Sequence, residues 1–418
     1  MGFFIAFALL ILFVVIRQFM ATNDAWRGEA SQLGLRFSAG VIGKRRIKGE
    51  IQGYPVLVET FTSDEETHTR MMLDSRGRIP SGIQLRAEGS WAGVTKVFTG
   101  EDILTGDEGF DAAVNVSGPE PSAVAFLGQE ARTSVLELLA AGGSVRQGCV
   151  RLEFKGAMSG PGEISQAVES LLGLVSDLPP GTVLERLLAN ATDDPNPGVR
   201  LRNLRLLADK FRSEEETKRA AEAVLADPEP AIRLLAATLV RGSQGLAALK
   251  ALIGEPDISD EVRRDAVRAA GASRDPALLE LLYALVPKRD PALAAAVATA
   301  LGQLGKAEAE TSLLRLMSRE STEVKRAAAA ALGLLGTVRA VEPLLQLAAG
   351  PLGETARDAV RRIQARLGGD AQAGRLSVAA QDAAAGGLSI AAEGGELSVA
   401  PDDKPAEDPT PPHGRVKG

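Results

Sequence analysis

Two short stretches hold residue types that could do chemistry. SAGVIGKRR (residues 38–46) offers glycines and a Gly43-Lys44 pair, as a phosphate-cradling loop does. Such a loop needs Gly five residues before that glycine and Ser or Thr after the lysine. Ser38 and Arg45 stand there instead, so the match fails. TGDEGFD (residues 105–111) places Asp107, Glu108 and Asp111 within five residues, a set of hard oxygen donors for calcium or magnesium. The spacing is not that of an EF-hand loop, and a turn leading into a strand explains it more simply. No GxSxG elbow and no HExxH helix occurs. Cys149 is the one cysteine, so no intrachain disulfide forms, and the two histidines, His68 and His413, are far apart. We therefore expect no catalytic residue, no cofactor and no metal.

The elements that would position any site follow from composition. The 418 residues suffice for two or three units. Alanine and leucine are abundant and aromatics make up only 4%, the balance of a helical array. The net charge of −7 argues against nucleic acid as a partner.

The chain opens on MGFFIAFALLILFVVI, sixteen residues without a charged or hydrogen-bonding side chain. With Gln18, Phe19 and Met20 extending it past Arg17, residues 1–20 read as a transmembrane anchor. No basic side chain precedes the run and no small-x-small site follows, unlike a cleaved signal. Between residues 17 and 50 seven basic side chains stand against three acids, which puts the body in the cytoplasm, the periplasm being the alternative. In GKRRIKGE, Lys44, Arg45, Arg46 and Lys48 are candidates for lipid-headgroup contact, a solvated hairpin edge being the plainer reading. Residues 21–28 are expected as a linker.

Residues 29–158 read as a small α+β membrane-proximal domain. RRIKGEIQGYPVLVETF suggests two strands around Gly53, followed by strand candidates HTRMMLD, GIQLRAE and FDAAVNVSG. PSAVAFLGQEARTSVLELLAAG suggests one amphipathic helix, and SVRQGCVRLEFKG a further hairpin. The order of these elements resembles a segment of uncharacterised bacterial membrane-anchored proteins, a likeness that implies no activity.

Residues 160–367 are periodic. PGVRLRNLRLLAD, PAIRLLAATLVRG, DEVRRDAVRAAGA, PALAAAVATALGQLG, TEVKRAAAAALGLLG and GETARDAVRRIQA align on Val199, Ile232, Val262, Leu293, Val324 and Thr355, at a near-constant interval. Each interval has room for two helices, with Asp227-Pro228 and Asp290-Pro291 as expected starts. The pattern D-P-x-x-V-R-x-x-A-x-x-A-L-G-x-L-G, clearest over Asp290–Gly305 and Ser318–Gly336, resembles HEAT-like repeats of short period, of the kind also found in phycobilin lyases. The resemblance implies an α-solenoid with an extended surface for a protein or peptide; it identifies no chromophore-handling residue. Arg200, Arg233, Arg263 and Lys325 recur at one register, beside Arg264, and are candidates for a partner-binding groove. A ladder between these cations and the recurring aspartates is the favoured alternative.

Residues 368–418 form a low-complexity tail, expected to be disordered. Three copies of a Leu-Ser-Val/Ile-Ala motif, at Leu376, Leu388 and Leu397, are candidate short strands that pair with one another, add to an exposed sheet edge or dock on a partner, drift in an Ala/Gly-rich tail being the plainer reading. Together these features predict a mainly α protein, a HEAT-like α-solenoid preceded by a single transmembrane helix and a small α+β domain. The expected function is a non-enzymatic scaffold that holds a protein or peptide at the membrane. A divergent lyase-like or hydrolytic enzyme, using the solenoid face or the α+β domain, is the alternative.

Overall fold

Gln52 and Gly53 both take positive φ, 52° and 85°, the geometry of a turn whose twist matches that of the strands it joins. The turn fixes the hairpin of β2 (Arg45–Ile51) and β3 (Tyr54–Ser63). The structure, a computed structural model, describes residues 17–18, 20–40, 44–63, 65–88, 102–178, 180–240 and 242–368, and the backbone of 377–379 and 387–389. The chain divides into two compact units, residues 1–245 and 246–418.

In the first unit, α1 (residues 20–32) precedes β1 (Arg36–Ala39), and β4 (Glu66–Asp74) and β5 (Gln84–Ala87) follow the hairpin. Then come α2 (Glu108–Asp111), β6 (Val114–Ser117), α3 (Glu120–Phe126), α4 (Gln129–Ala140), β7 (Gly143–Arg146) and β8 (Cys149–Lys155). The eight strands form one antiparallel sheet in the order β1-β2-β3-β4-β8-β7-β5-β6. Alternation along each strand turns Ile47, Val56, Val58, Met71, Leu73, Val150 and Leu152 inward. Against them pack Trp26 and Ala30 of α1, Val135 and Leu138 of α4, and Ile164, Val168, Leu171 and Val175 of α5 (Glu163–Ser176).

Three local expectations change. Residues 21–28, expected as a linker, are helical, and Trp26 is fully buried with its Nε1 donating to Met158 O at 2.6 Å. The helix expected as one piece breaks into α3 and α4 at Gly128, where a side chain would collide with Asn190. In FDAAVNVSG, Phe110 and Asp111 end the short α2, and only Val114–Ser117 are strand.

The transmembrane expectation is corrected. Among the described residues no helix is long and apolar enough to cross a membrane, which overturns the single-pass localisation, cytoplasmic or periplasmic. The apolar run itself, residues 1–16, lies outside the described residues. The helix after it, α1, is amphipathic: Asp24 and Arg27 pair at its surface at 3.0 Å while Trp26 and Ala30 face the sheet.

After α5 come α6 (Val183–Asp193), α7 (Pro197–Lys210), α8 (Glu215–Ala223) and α9 (Pro230–Leu239), whose buried Leu187, Leu204, Leu207, Ala221 and Ile232 share a core with Val124 of α3. A capping box starts α6: Thr182 accepts from the Glu185 amide and Glu185 accepts from the Thr182 amide. Those hydrogen bonds hold the Glu185 carboxyl below the usual glutamate range. α10 (Ser243–Gly254) begins at the boundary between the units.

The second unit continues with α11 (Asp260–Ser273), α12 (Leu279–Leu285), α13 (Pro291–Leu304), α14 (Glu310–Met317), α15 (Thr322–Leu335), α16 (Val338–Ala348) and α17 (Gly353–Gly368). The first helices of successive pairs, α11, α13, α15 and α17, lie against one another through small residues. A methyl added at Gly271 would come within 2.5 Å of Ala300 Cα, at Gly302 within 2.9 Å of Ala331 Cα, and at Gly333 within 2.9 Å of Ala359 Cα. The three glycines are equally spaced, one to a repeat. Asp290 caps α13 with Pro291 in the first turn, as expected, whereas α9 starts at Pro230 with Glu229 before it, so Asp227 is no cap. In the tail, β9 (Ser377–Ala379) and β10 (Gly387–Ser389) pair antiparallel with Leu388 opposite Val378. Leu376 and Leu397, like most of the tail, lie outside the described residues.

Candidate partner-binding surface

The recurring arginines turn inward on the fold. Arg200, near the start of α7, donates Nε and Nη2 to the two oxygens of Asp227 at 2.8 and 2.9 Å, and Nη1 to Asp194 O at 2.9 Å. The fork geometry holds its guanidinium above the ordinary arginine range, the Asp227 hydrogen bonds being the main cause. Arg233, one repeat later, donates to Asp227 O at 3.1 Å. Arg263 lies in the second unit and donates to Ile253 O and Pro256 O at 3.0 and 3.1 Å, closing the loop before α11. These three are therefore structural rather than an open basic groove, because carbonyls and carboxylates of neighbouring turns occupy the guanidinium forks. Arg200 on Asp227 is one contact of the expected cation–aspartate kind, while the contacts of Arg233 and Arg263 given above are to backbone carbonyls. Arg264 and Lys325 are half-buried and, among the described residues, pair with no carboxylate.

A further arginine–aspartate contact joins α4 to the turn before α7. Arg132 of α4 is 5% exposed; it donates to both oxygens of Asp194 at 2.9 and 3.1 Å, to Asp107 Oδ2 at 3.0 Å and to Leu127 O at 2.9 Å. Asp194 thus meets Arg132 through its carboxylate and Arg200 through its carbonyl. Asp111 accepts from Thr105 N, Thr105 Oγ1 and Gly106 N at 2.9, 2.7 and 3.1 Å, and Asp107 also caps α2 at Phe110 N. Asp107 and Asp111 of TGDEGFD hold their own loop and a buried arginine. Among the described residues no group of three or more His, Cys, Asp or Glu could hold a metal ion.

Two further arginines escaped the sequence reading. Arg319 donates to Lys288 O at 2.6 Å and to Val286 O, and Arg366 to Gly333 O and Leu334 O at 3.1 and 2.6 Å and to Gly336 O. Each satisfies the orphan carbonyls at a helix C-terminus of the preceding repeat. The available signal was spacing: each arginine stands about one period after the carbonyls it meets.

Of the four basic residues proposed for headgroup contact, alternation along β2 separates one from its neighbours. Arg45 points inward, 7% exposed, with Nε on Asn23 Oδ1 at 2.7 Å. Arg46 points outward and pairs with Glu59 at 2.8 Å, while Lys44 and Lys48 are exposed. A flat basic patch of all four does not exist, since successive strand residues face opposite sides. On the outer face Arg46, Glu59, Arg70 and Glu153 form one cross-strand row, and the Arg70 guanidinium lies 4.1 Å from the Phe61 ring centre.

Helix pairs recurring at a near-constant interval, with first helices in contact along small residues, define an α-helical repeat array. Residues 278–364, from the turn before α12 into α17, match the family of HEAT repeats. The protein therefore carries a HEAT-like repeat region in a mainly helical chain with an amino-terminal antiparallel sheet domain. No curated protein matches it.

Proposed function

We propose that this protein is a scaffold that binds a protein or peptide partner through its HEAT-like repeats, without catalysis of its own. The single observation behind this is the HEAT match over residues 278–364: a repeat array leaves an extended surface, and such surfaces serve binding. The disposition of charged groups supports it. The arginines and aspartates best placed for chemistry, Arg132, Arg200, Asp107, Asp111 and Asp194, are engaged with one another or with backbone. Arg264 and Lys325, together with the LSVA-type tail segments, are the contact candidates that stay open under this proposal.

Affinity capture tests it with the full chain, a chain ending at Leu367, the full chain with Leu376, Leu388 and Leu397 replaced by Ser, and the full chain carrying Arg264→Glu or Lys325→Glu. A specific protein retained by the first and lost on Arg264→Glu or Lys325→Glu supports binding by the repeats. Retention lost only in the second and third forms moves the contact to the tail. If no form retains a specific protein, the scaffold proposal fails.

A further inference from the structure

We infer that the outer face of the sheet, along the row Lys48, Leu57, Met72 and Arg151, is a docking surface for an acidic peptide segment of a partner protein, one with apolar side chains set between two carboxylates. These four residues are consecutive partners across β2, β3, β4 and β8. Helices α1, α4 and α5 pack on the other face. On the outer face the side chains of the four strands are exposed or half-buried.

Leu57 and Met72 stand directly opposite each other and are only half covered. A ligand that covers the rest gains hydrophobic free energy in proportion to the apolar area it removes from water. The charges around them are unevenly matched. Glu59 is held by Arg46 at 2.8 Å, Glu153 by Arg70 at 2.7 Å, Glu66 by Lys155 at 2.8 Å and Glu50 by Arg76 at 3.2 Å. Asp74 accepts from the Arg76 amide at 2.8 Å. Lys48 and Arg151, at the two ends of the row, form no ion pair among the described residues. Arg146, diagonal to Arg151 across the β7–β8 ladder, is exposed and has none either. The Arg151 Nε is shielded from solvent and, among the described residues, meets no acceptor. A buried donor without a partner is costly in the free protein. Turning that guanidinium onto a ligand carboxylate relieves the cost and adds a charge-assisted hydrogen bond. Paired acids beside unpaired cations favour an acidic ligand over a basic one. Adjacent strands lie about 4.8 Å apart, so three steps set the Cα atoms of Lys48 and Arg151 roughly 14 Å from each other. Two carboxylates with an apolar pair between them match that row. The chain's net charge of −7 disfavours nucleic acid as the anion.

The test selects a displayed library of random short peptides on the full-length protein. The most enriched sequence is then synthesised, labelled and titrated with the protein by fluorescence anisotropy. Enriched peptides should carry Asp or Glu on both sides of an apolar pair. Lys48→Gln should weaken binding of the labelled peptide about threefold and Arg151→Gln about tenfold. Leu57→Ser should weaken it as well, and Lys48→Glu combined with Arg151→Glu should abolish it. Arg361→Gln, which removes an exposed arginine of α17, should leave it unchanged. Circular dichroism checks each variant, and the exposed Lys48→Gln carries the comparison where Arg151→Gln unfolds. Enrichment of peptides without flanking acids, or wild-type affinity in the folded Lys48 and Arg151 variants, overturns the surface. Tighter binding of a single-stranded oligonucleotide, lost in the same variants, overturns the peptide as its occupant.

Discussion

Gly302 of α13 lies against Ala331 of α15 with no room for a side chain: a methyl at Gly302 would meet the Ala331 Cβ at 2.7 Å. Replacing Gly by Ala inside a helix ordinarily gains up to about 1 kcal/mol from backbone entropy. Here a rigid backbone must move, at a cost of about 1–3 kcal/mol. Gly302→Ala should therefore lower stability, and Gly302→Val more so. Gly173→Ala in α5, where nothing stands within 4 Å of the added methyl, should raise it. Urea denaturation of the variants gives the two signs; equal stability of Gly302→Ala and wild type would refute the close contact.

Removing Arg132 leaves the Asp194 carboxylate, 1% exposed, as a buried charge without its partner. Arg132→Met should cost about 3–5 kcal/mol. The double variant Arg132→Met with Asp194→Asn should recover much of that, because the orphaned charge is gone. A double-mutant cycle by chemical denaturation measures the coupling, and additive losses would rule out the pair as a unit.

Burial raises the Cys149 thiol above its ordinary range, Asp74 pushes the same way, and Arg151 opposes in part. The thiolate is therefore scarcer in the fold than in the open chain. Alkylation by iodoacetamide at pH 8 should be several-fold slower in native protein than in urea. Deprotonation favours the unfolded chain, so the contribution of this group to stability is complete at neutral pH and declines as pH rises through the alkaline range. Cys149→Ser should remove that decline, which melting at several alkaline pH values would reveal.

Arg366 and Arg361 both sit on α17 but differ in use. Arg366→Ala strands carbonyls at the end of α15 and should cost about 1–3 kcal/mol. Arg361 pairs with Asp358 at 3.1 Å on an exposed surface, so Arg361→Ala should change stability by less than about 1 kcal/mol. Similar melting temperatures for the two variants would contradict the capping role.

Much of this fold was legible because the signals are local. Gln52-Gly53 and Gln147-Gly148 mark tight hairpins, and both pairs take positive φ. The aligned Val199, Ile232, Val262, Leu293, Val324 and Thr355 each fall within the first two turns of α7, α9, α11, α13, α15 or α17. Non-local contacts hid the rest. Trp26 stands among polar neighbours, and only the sheet shows that it is core. The break at Gly128 depends on Asn190, far along the chain in α6. Arg45 and Arg46 are indistinguishable in sequence, and only strand pleating buries one and exposes the other.

The glycine register also bears on how such a chain lengthens. Because Gly271, Gly302 and Gly333 are evenly spaced and each receives an alanine of the next first helix, donor and acceptor belong to the same module. A duplicated stretch running from Pro291 through Gly305 and the second helix after it would meet its neighbours with the same two surfaces they already present to each other. Growth by whole modules then requires no new contact chemistry, whereas an insertion of any other length would set a side chain where only hydrogen fits.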